Sequence, residues 1–378
     1  MPLDNIKNIK TPAYVLDEKK LKENLSILKQ VSDESGARIL LAQKAFSMFS
    51  VYPLIEKYLY GTTASGLYEA KLAHEEFHGE NHVFCPAFCD EEMAEILKIC
   101  DHVVFNSVNQ LEKHRAAWEK SKAQIGLRIN PEHSTQEGHE IYDPCAKGSR
   151  LGITFDNFPD ELPDGVSGLH FHTLCEQGFE PLLETYEAVE KKFGKYLSKI
   201  KWLNLGGGHH ITKEDYDRAG LIRLVKSIRE KYNIDVYLEP GEAVAIDAGY
   251  LCTRVMDIVD NSMPILILDT SAACHMPDVL EMPYRPPLRN AGQAGERAYT
   301  CRLSSCTCLA GDVIGDYSFE RMPEIGDILV FEDMAIYSMV KNNSFNGMPL
   351  PDIDILHADG KLEVVKRFGY EDFKNRLS

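Results

Sequence analysis

Short apolar runs recur along the first two thirds of the chain, each bounded by polar or glycine-rich residues. In order they are "ARILLAQK" (37–44), "GTTAS" (61–65), "HVFCPA" (82–87), "HVVFNS" (102–107), "QIGLRIN" (124–130), "VSGLHFH" (166–172), "KWLNLGGG" (201–208) and "DVYLEPG" (235–241). Runs of this length and bounding read as buried strands. Between them lie stretches with apolar residues at helical spacing, such as "LYEAKLAHEEF" and "LLETYEAVEKKFGKYL". Eight strand-then-helix units in succession predict an α/β fold, a (β/α)8 barrel. A short strand and an amphipathic helix, "TPAYVLDEKKLKENLSIL", precede it. After about residue 250 the texture changes to strand-like runs separated by turns, among them "YLCTRVMDIVD", "PILILDT", "DILVFED" and "KLEVVKRF". That pattern predicts an antiparallel β domain. The expected division is a barrel over 14–250 and a β domain built from 1–13 and 251–378.

The polar residues within the eight runs are not scattered. Lys44, Ser65, Asn106, Arg128, His172, Gly206–Gly208 and Glu239 all fall at or near the C-terminal end of a run. That is the end at which barrels of this kind carry chemistry.

Each of these residues has more than one reading when taken alone. Lys44 closes an apolar strand, either as an ion-paired surface lysine or as a nucleophile whose amine is freed by desolvation to attack a carbonyl. "NLGGGHH" is a tight turn or a cradle in which glycines let backbone amides approach a phosphate. It lacks the Gly-Lys-Ser of a P-loop and is not a dinucleotide fingerprint. Glu239 in "YLEPGEA" suits a general base, a metal ligand or a partner for a ring nitrogen. His170 and His172, two apart in a strand, share a face, as a hydrogen-bonded core pair or as metal ligands. His209 and His210 receive no role. Together, a carbonyl-attacking lysine, a glycine phosphate cradle, a carboxylate and a ring-stacking histidine describe one cofactor, pyridoxal 5′-phosphate. A carboxylate at its ring nitrogen makes a strong electron sink, which favours decarboxylation over racemisation.

The charge of −17 on 378 residues argues against nucleic acid as a partner and accords with small cationic ligands. The start "MPLDNIKNIK" has no apolar segment of a secretory signal, and "MPILILD" is far too short to span a bilayer. The ten cysteines form no CxxC pair, and Cys301, Cys306 and Cys308 lack a clustered fourth ligand. The expectation is reduced thiols, no metal, no membrane and a cytoplasmic location.

At this point the chain resembles the fold-III pyridoxal-phosphate decarboxylases, which include ornithine, arginine and diaminopimelate decarboxylases. "LAQKAF" is similar to the family's lysine motif, "HFH" to the strand with the ring-stacking histidine, "GGG" to the phosphate loop and "EPG" to the glutamate motif. "SSCTCLAGD", "SFNG" and "IYSMV" resemble motifs of the second domain. The resemblance implies Lys44 and Cys308 as catalytic residues. It implies Lys44, Arg128, His172, Gly206, Gly207, Gly208, Glu239, Gly241 and Tyr337 as cofactor-binding. It also implies a homodimer with shared active sites, in which Cys308 serves the partner's reaction.

The departures from the family bear on the substrate. Ornithine-type enzymes carry an acidic residue after the loop cysteine, where this chain has Leu309. Most members have arginine after "EPG", where this chain has Glu242. Reversing a charge inside a site calls for a cationic partner. "EPGEA", "HMPD" and "TCLAGD" are similar to a branch whose substrate is a long carboxylated polyamine. That resemblance implies Glu242, Asp278 and Asp312 as substrate contacts. The competing expectations are a decarboxylase of a simpler basic amino acid, a non-catalytic cofactor carrier and a polyamine-binding sensor.

Overall fold

The computed structural model describes residues 9–136 and 143–378. The chain divides into two compact units, one from Asn24 to Val244 and the other combining the chain through Glu23 with Ala245 onward. The expected boundary shifts for a physical reason. The first strand, β1 (Ala13–Asp17), pairs along its whole length within the sheet of the second unit. Residues 1–8, expected in that unit, lie outside the described residues.

The Asn24–Val244 unit is the expected barrel. Its strands are β2 (Arg38–Ala42), β3 (Gly61–Ala64), β4 (Glu80–Cys85), β5 (His102–Phe105), β6 (Gln124–Arg128), β7 (Val166–His170), β8 (Trp202–Asn204) and β9 (Asp235–Leu238). All eight are parallel, and β2 closes on β9. The strands end earlier than their apolar runs do, so Lys44, His172, Gly206–Gly208 and Glu239 lie on the first residues after the strands.

The interior shows why this sequence closes. Trp202 is 1% exposed and lies across β6 and β7, where a Cβ on Gly168 would come within 2.0 Å of its indole. Only glycine admits the ring there. At the strands' N-terminal ends, Glu80 accepts from Tyr237 Oη at 2.9 Å and lies 3.4 Å from Arg38 Nη1. Its other neighbour, His82 at 2.9 Å, stacks on His102 with ring centroids 3.9 Å apart. Glu80, His82 and His102 bring their ligand atoms within 4.8 Å of one another. However, the carboxylate is already engaged by Tyr237 and Arg38, so the cluster is a hydrogen-bonded plug.

The second unit is a nine-stranded sheet. It adds β10 (Gly249–Asp260), β11 (Pro264–Leu268), β12 (Gly292–Gln293), β13 (Tyr299–Ser305), β14 (Val313–Phe319), β15 (Ile328–Glu332), β16 (Asp352–Leu356) and β17 (Leu362–Lys366) to β1. It is mixed rather than purely antiparallel as expected, because β1 pairs with β16 and β11 with β13 in parallel. Parallel partners need long crossovers. Here the whole barrel separates β1 from β10 and β16, an arrangement that local turn signals do not encode. Leu251, Val255, Leu266, Leu303 and Phe331 build its core.

Candidate active site

Lys44 follows β2 by two residues. Gln43, just before it, donates to Glu69 O at 3.0 Å and accepts from Tyr52 Oη at 2.9 Å, which fixes the turn. Solvent reaches the lysine at the barrel mouth, yet protein surrounds the rest of it. Desolvation first, and the Arg128 charge second, lower its pKa below the ordinary lysine value. The amine is therefore more readily freed for attack on a carbonyl.

Lys44 Nζ lies 3.3 Å from His172 Nε2. On the far side of the ring, His172 Nδ1 lies 3.1 Å from Gly207 N and 3.2 Å from Gly207 O. Burial, with Lys44 and Arg128 nearby, holds the imidazole neutral. Its tautomer is then tied to the lysine. A charged Lys44 donates to Nε2 and leaves the Nδ1 proton for Gly207 O; a neutral amine accepts from Nε2–H while Gly207 N–H donates to Nδ1. Arg128 ends β6, 3% exposed, donates to His172 O at 2.9 Å and covers the Phe84 ring at 4.5 Å. Burial lowers its pKa to about 10, so it is a cation at neutral pH.

Gly206–Gly208 follow β8. Gly206 and Gly208 have φ of +73° and +83°, flanking Gly207. A Cβ would fall 2.0 Å from Glu239 O at Gly207 and 1.9 Å from Leu174 O at Gly208. The turn lets backbone approach closely, as an anion cradle requires, with Gly206 N–H donating to Asn204 Oδ1 at 2.8 Å and Gly207 N–H to His172 Nδ1 at 3.1 Å.

Glu239 follows β9. One carboxylate oxygen accepts from Asn204 Nδ2 at 2.7 Å, and the other is 3.1 Å from His170 Nε2. Burial opposes its charge, but the His170 contact and the neighbouring imidazoles outweigh it and hold the carboxyl well below the usual range. Burial meanwhile lowers His170, so we assign an ionised Glu239 and a neutral His170 that donates from Nε2. Gly241 brings this turn onto the Lys44 segment, since a Cβ there would meet Ala45 Cβ at 2.6 Å.

These residues fit pyridoxal phosphate on their own chemistry. The barrel supplies an amine for an aldehyde, a neutral imidazole for a ring face and glycine backbone for a phosphate. The carboxylate still has lone pairs to accept from a ring N–H.

Glu242 opens the short helix Glu242–Ala245, with its side chain 17% exposed and one oxygen 3.1 Å from His210 Nε2. His210, which the sequence reading left without a role, is 5% exposed. This histidine is the neighbour that the fold sets beside the Glu242 carboxylate. The available signal was its position directly after the glycine turn. His209 packs inward instead, its Nδ1 2.8 Å from Tyr216 Oη.

In the second unit, Asp278 pairs with Lys341, which also contacts Glu281 at 2.5 Å. Neither Lys341 nor Glu281 was singled out from sequence. Asp312, which the resemblance implies as a substrate contact, already has several hydrogen-bond donors within the protein. It is 1% exposed, with Ala273 N donating to one oxygen and the hydroxyls of Ser271, Ser305 and Thr307 to the other. It holds the loop that carries Cys308. Cys308 is exposed, and its N–H donates to Asn346 Oδ1 at 2.8 Å, which ties "SSCTC" to "SFNG". Tyr337 sits at φ +46°, a conformation costly for an aromatic residue and typical of functional turns.

This fold and this set of barrel-mouth residues define a pyridoxal-phosphate enzyme, and the comparisons agree. Residues 13–335 match the family described as pyridoxal-dependent decarboxylase, C-terminal sheet domain. The chain belongs to the pyridoxal-dependent decarboxylases. It is 42% identical to a carboxynorspermidine/carboxyspermidine decarboxylase of Campylobacter jejuni, over 97% of this chain and 98% of that one. It is 39% identical to a carboxyaminopropylagmatine decarboxylase of Synechocystis, over 98% and 96% of the two chains. The crystal structure of carboxynorspermidine decarboxylase from Campylobacter jejuni, complexed with norspermidine, superposes with a TM-score of 0.91. That match has 41% identity and covers 97% of this chain and all of the other. Among the described residues, no helix is long and apolar enough to cross a membrane.

Proposed function

We propose that this protein decarboxylates carboxynorspermidine and carboxyspermidine to norspermidine and spermidine, a step of polyamine biosynthesis. The observation that carries this reading is Glu242. A largely buried carboxylate stands three residues after Glu239 where most of the family has arginine, so the barrel mouth selects a cation instead of a second carboxylate. The 42% identity to a relative of that name supports it.

When bound, pyridoxal phosphate supplies the electron sink for the carbon–carbon bond that breaks. The chain's residues do the rest. Lys44 would hold the cofactor through its aldehyde carbon, exchanging places there with the substrate amine on entry and with the product amine on release. His172 stacks on the ring face. Glu239 stays ionised and holds a proton at the ring nitrogen. Arg128, the glycine turn and Tyr337 hold the cofactor. Glu242 and Asp278 bind the ammonium groups of the substrate tail, each contact worth roughly 1.5–3 kcal/mol. That energy orients the departing carboxylate. Cys308 delivers a proton to the carbon left behind, serving the site of a second copy in a homodimer. Its exposure, beside Leu309 and Phe345 at 43% and 49% exposed, supports a surface that another subunit covers. The cysteine spacing, with no CxxC pair, is the feature that supports a reducing, cytoplasmic setting.

A substrate panel with products identified tests this reading. Carboxynorspermidine and carboxyspermidine should turn over faster than carboxyaminopropylagmatine, ornithine, arginine and diaminopimelate. Faster turnover of any of the last four overturns the assignment. Cofactor binding without release of carbon dioxide from any of them would favour a carrier.

A further inference from the structure

His210 follows the glycine turn, and contacts on both sides fix its backbone. Its N–H donates to Gln177 O at 3.0 Å, and its carbonyl accepts from Lys213 N at 3.0 Å. Gln177 donates from its own backbone to Gly208 O at 3.1 Å and from its side chain to Thr135 O at 2.7 Å. Two residues beyond His210, the Thr212 hydroxyl donates to Ala243 O at 2.7 Å and ties this stretch to the helix Glu242–Ala245. Anchors other than the two side chains therefore set His210 against Glu242.

Within that frame His210 Nε2 lies 3.1 Å from Glu242 Oε1, yet it is buried and has no aligned hydrogen bond. A buried polar atom left so is costly and calls for a reason. We infer that His210 is the positioning residue of Glu242. Its imidazole steadies one carboxylate oxygen and turns the other to an ammonium group of the substrate, and the off-axis contact tightens when that cation arrives. The inference rests on the reading of Glu242 as a substrate contact.

The chemistry of the partner supports it. A lysine or arginine in that place would carry a permanent charge and cancel the carboxylate that has to attract the substrate. A neutral imidazole can donate to the same oxygen and leave that attraction in place. The ring is also short and stiff, so holding it in one orientation costs less rotamer entropy than holding a long cationic side chain.

The test uses the holoenzyme with carboxynorspermidine as substrate and norspermidine as a product probe. His210→Leu removes the polar atoms. It should raise KM and the norspermidine inhibition constant together by about five- to twentyfold, with kcat lowered less than about threefold. Cofactor affinity, titrated by absorbance, should stay within about twofold. His210→Gln restores a neutral N–H donor and should recover most of the loss. His210→Arg sets a permanent cation beside Glu242 and should raise KM beyond the His210→Leu value. An unchanged KM in His210→Leu overturns the inference, as does a matching loss of cofactor affinity, which marks a merely structural role. If His210→Leu does not fold, the other two variants carry the test, and equal KM in His210→Gln and His210→Arg overturns it. Glu242→Gln and its double variant with His210→Leu separate the two layers. We expect the double variant to match Glu242→Gln within about twofold. If Glu242→Gln leaves KM unchanged, the substrate role of Glu242 fails and the inference with it. If Glu242→Gln raises KM and the double variant multiplies the two single effects, only the positioning role fails.

Discussion

Glu239 Oε2 accepts a hydrogen bond from His170 Nε2 at 3.1 Å, and both side chains are largely buried at the barrel mouth. The two residues come from different segments, the turn after β9 and the end of β7, and share the task of keeping one negative charge inside the protein. A buried carboxylate is stable only when paired and hydrogen-bonded, and His170 with Asn204 satisfies that condition here. Glu239→Gln keeps the shape and removes the charge. We expect kcat to fall by about 100-fold or more, with KM changed by less than about threefold. A steady-state comparison at saturating cofactor checks this, and a kcat within fivefold of the unmodified enzyme contradicts it.

The site and the barrel's far end bury neutral imidazoles, so stability should fall in acid. Burial lowers His102 to about 2 and His209 to about 3, and lowers His170 and His172 below their ordinary value. A group whose folded pKa is depressed binds more protons when unfolded. The stability these histidines contribute is full above about pH 6.5 and lost progressively as pH falls below it. Glu239, also depressed, adds a second loss below about pH 4.5. Denaturant midpoints from pH 8 to pH 5 should decline once pH 6.5 is passed; a flat profile to pH 5 counts against the assignment of neutral rings.

Lys44 should react as an unusually acidic lysine. Desolvation and Arg128 lower its pKa, so trapping of the cofactor-free protein by an aldehyde and borohydride should titrate with a midpoint below 10.5. Lys44→Ala should lose the bound-cofactor absorbance and reduce activity by roughly three orders of magnitude or more. A midpoint at or above 10.5, or a surviving absorbance band, is the contrary result.

The glycine turn should tolerate no side chain. Gly207→Ala sets a Cβ against Glu239 O at 2.0 Å, and overpacking of this kind costs roughly 1–3 kcal/mol. Cofactor affinity, titrated by absorbance, should weaken at least tenfold. Gly178→Ala is the control, since its Cβ meets nothing nearer than 3.7 Å. Equal affinity in the two variants would show that the turn is no cradle.

Asp312→Ala should act on folding and on the Cys308 loop, not on substrate binding. It strands the hydroxyls of Ser271, Ser305 and Thr307 around a buried gap. The expected cost is about 3 kcal/mol, read from equilibrium unfolding. A rise in KM at unchanged stability would support the substrate role that the sequence suggested.

Much of this protein is legible in its sequence because the barrel writes itself locally. Each parallel strand is buried on both faces and reads as an apolar run, and each chemical residue follows the end of such a run. Lys44, His172, the three glycines and Glu239 could be collected that way before any coordinate was known. What required the tertiary structure were relationships across long separations. The parallel pairing of β1 with β16 joins segments more than 300 residues apart, and no local pattern announces it. The partners of the charged residues were hidden for the same reason. An aspartate in a turn looks alike whether it awaits a ligand or already has donors, and only packing showed that Asp312 accepts from three hydroxyls, that Asp278 is held by Lys341 and that Glu242 faces His210. Sequence settled which groups carry charge at the strand ends, since residue type and strand periodicity are local. Tertiary structure decided which partners those groups have, because that depends on what the fold brings within about 3 Å.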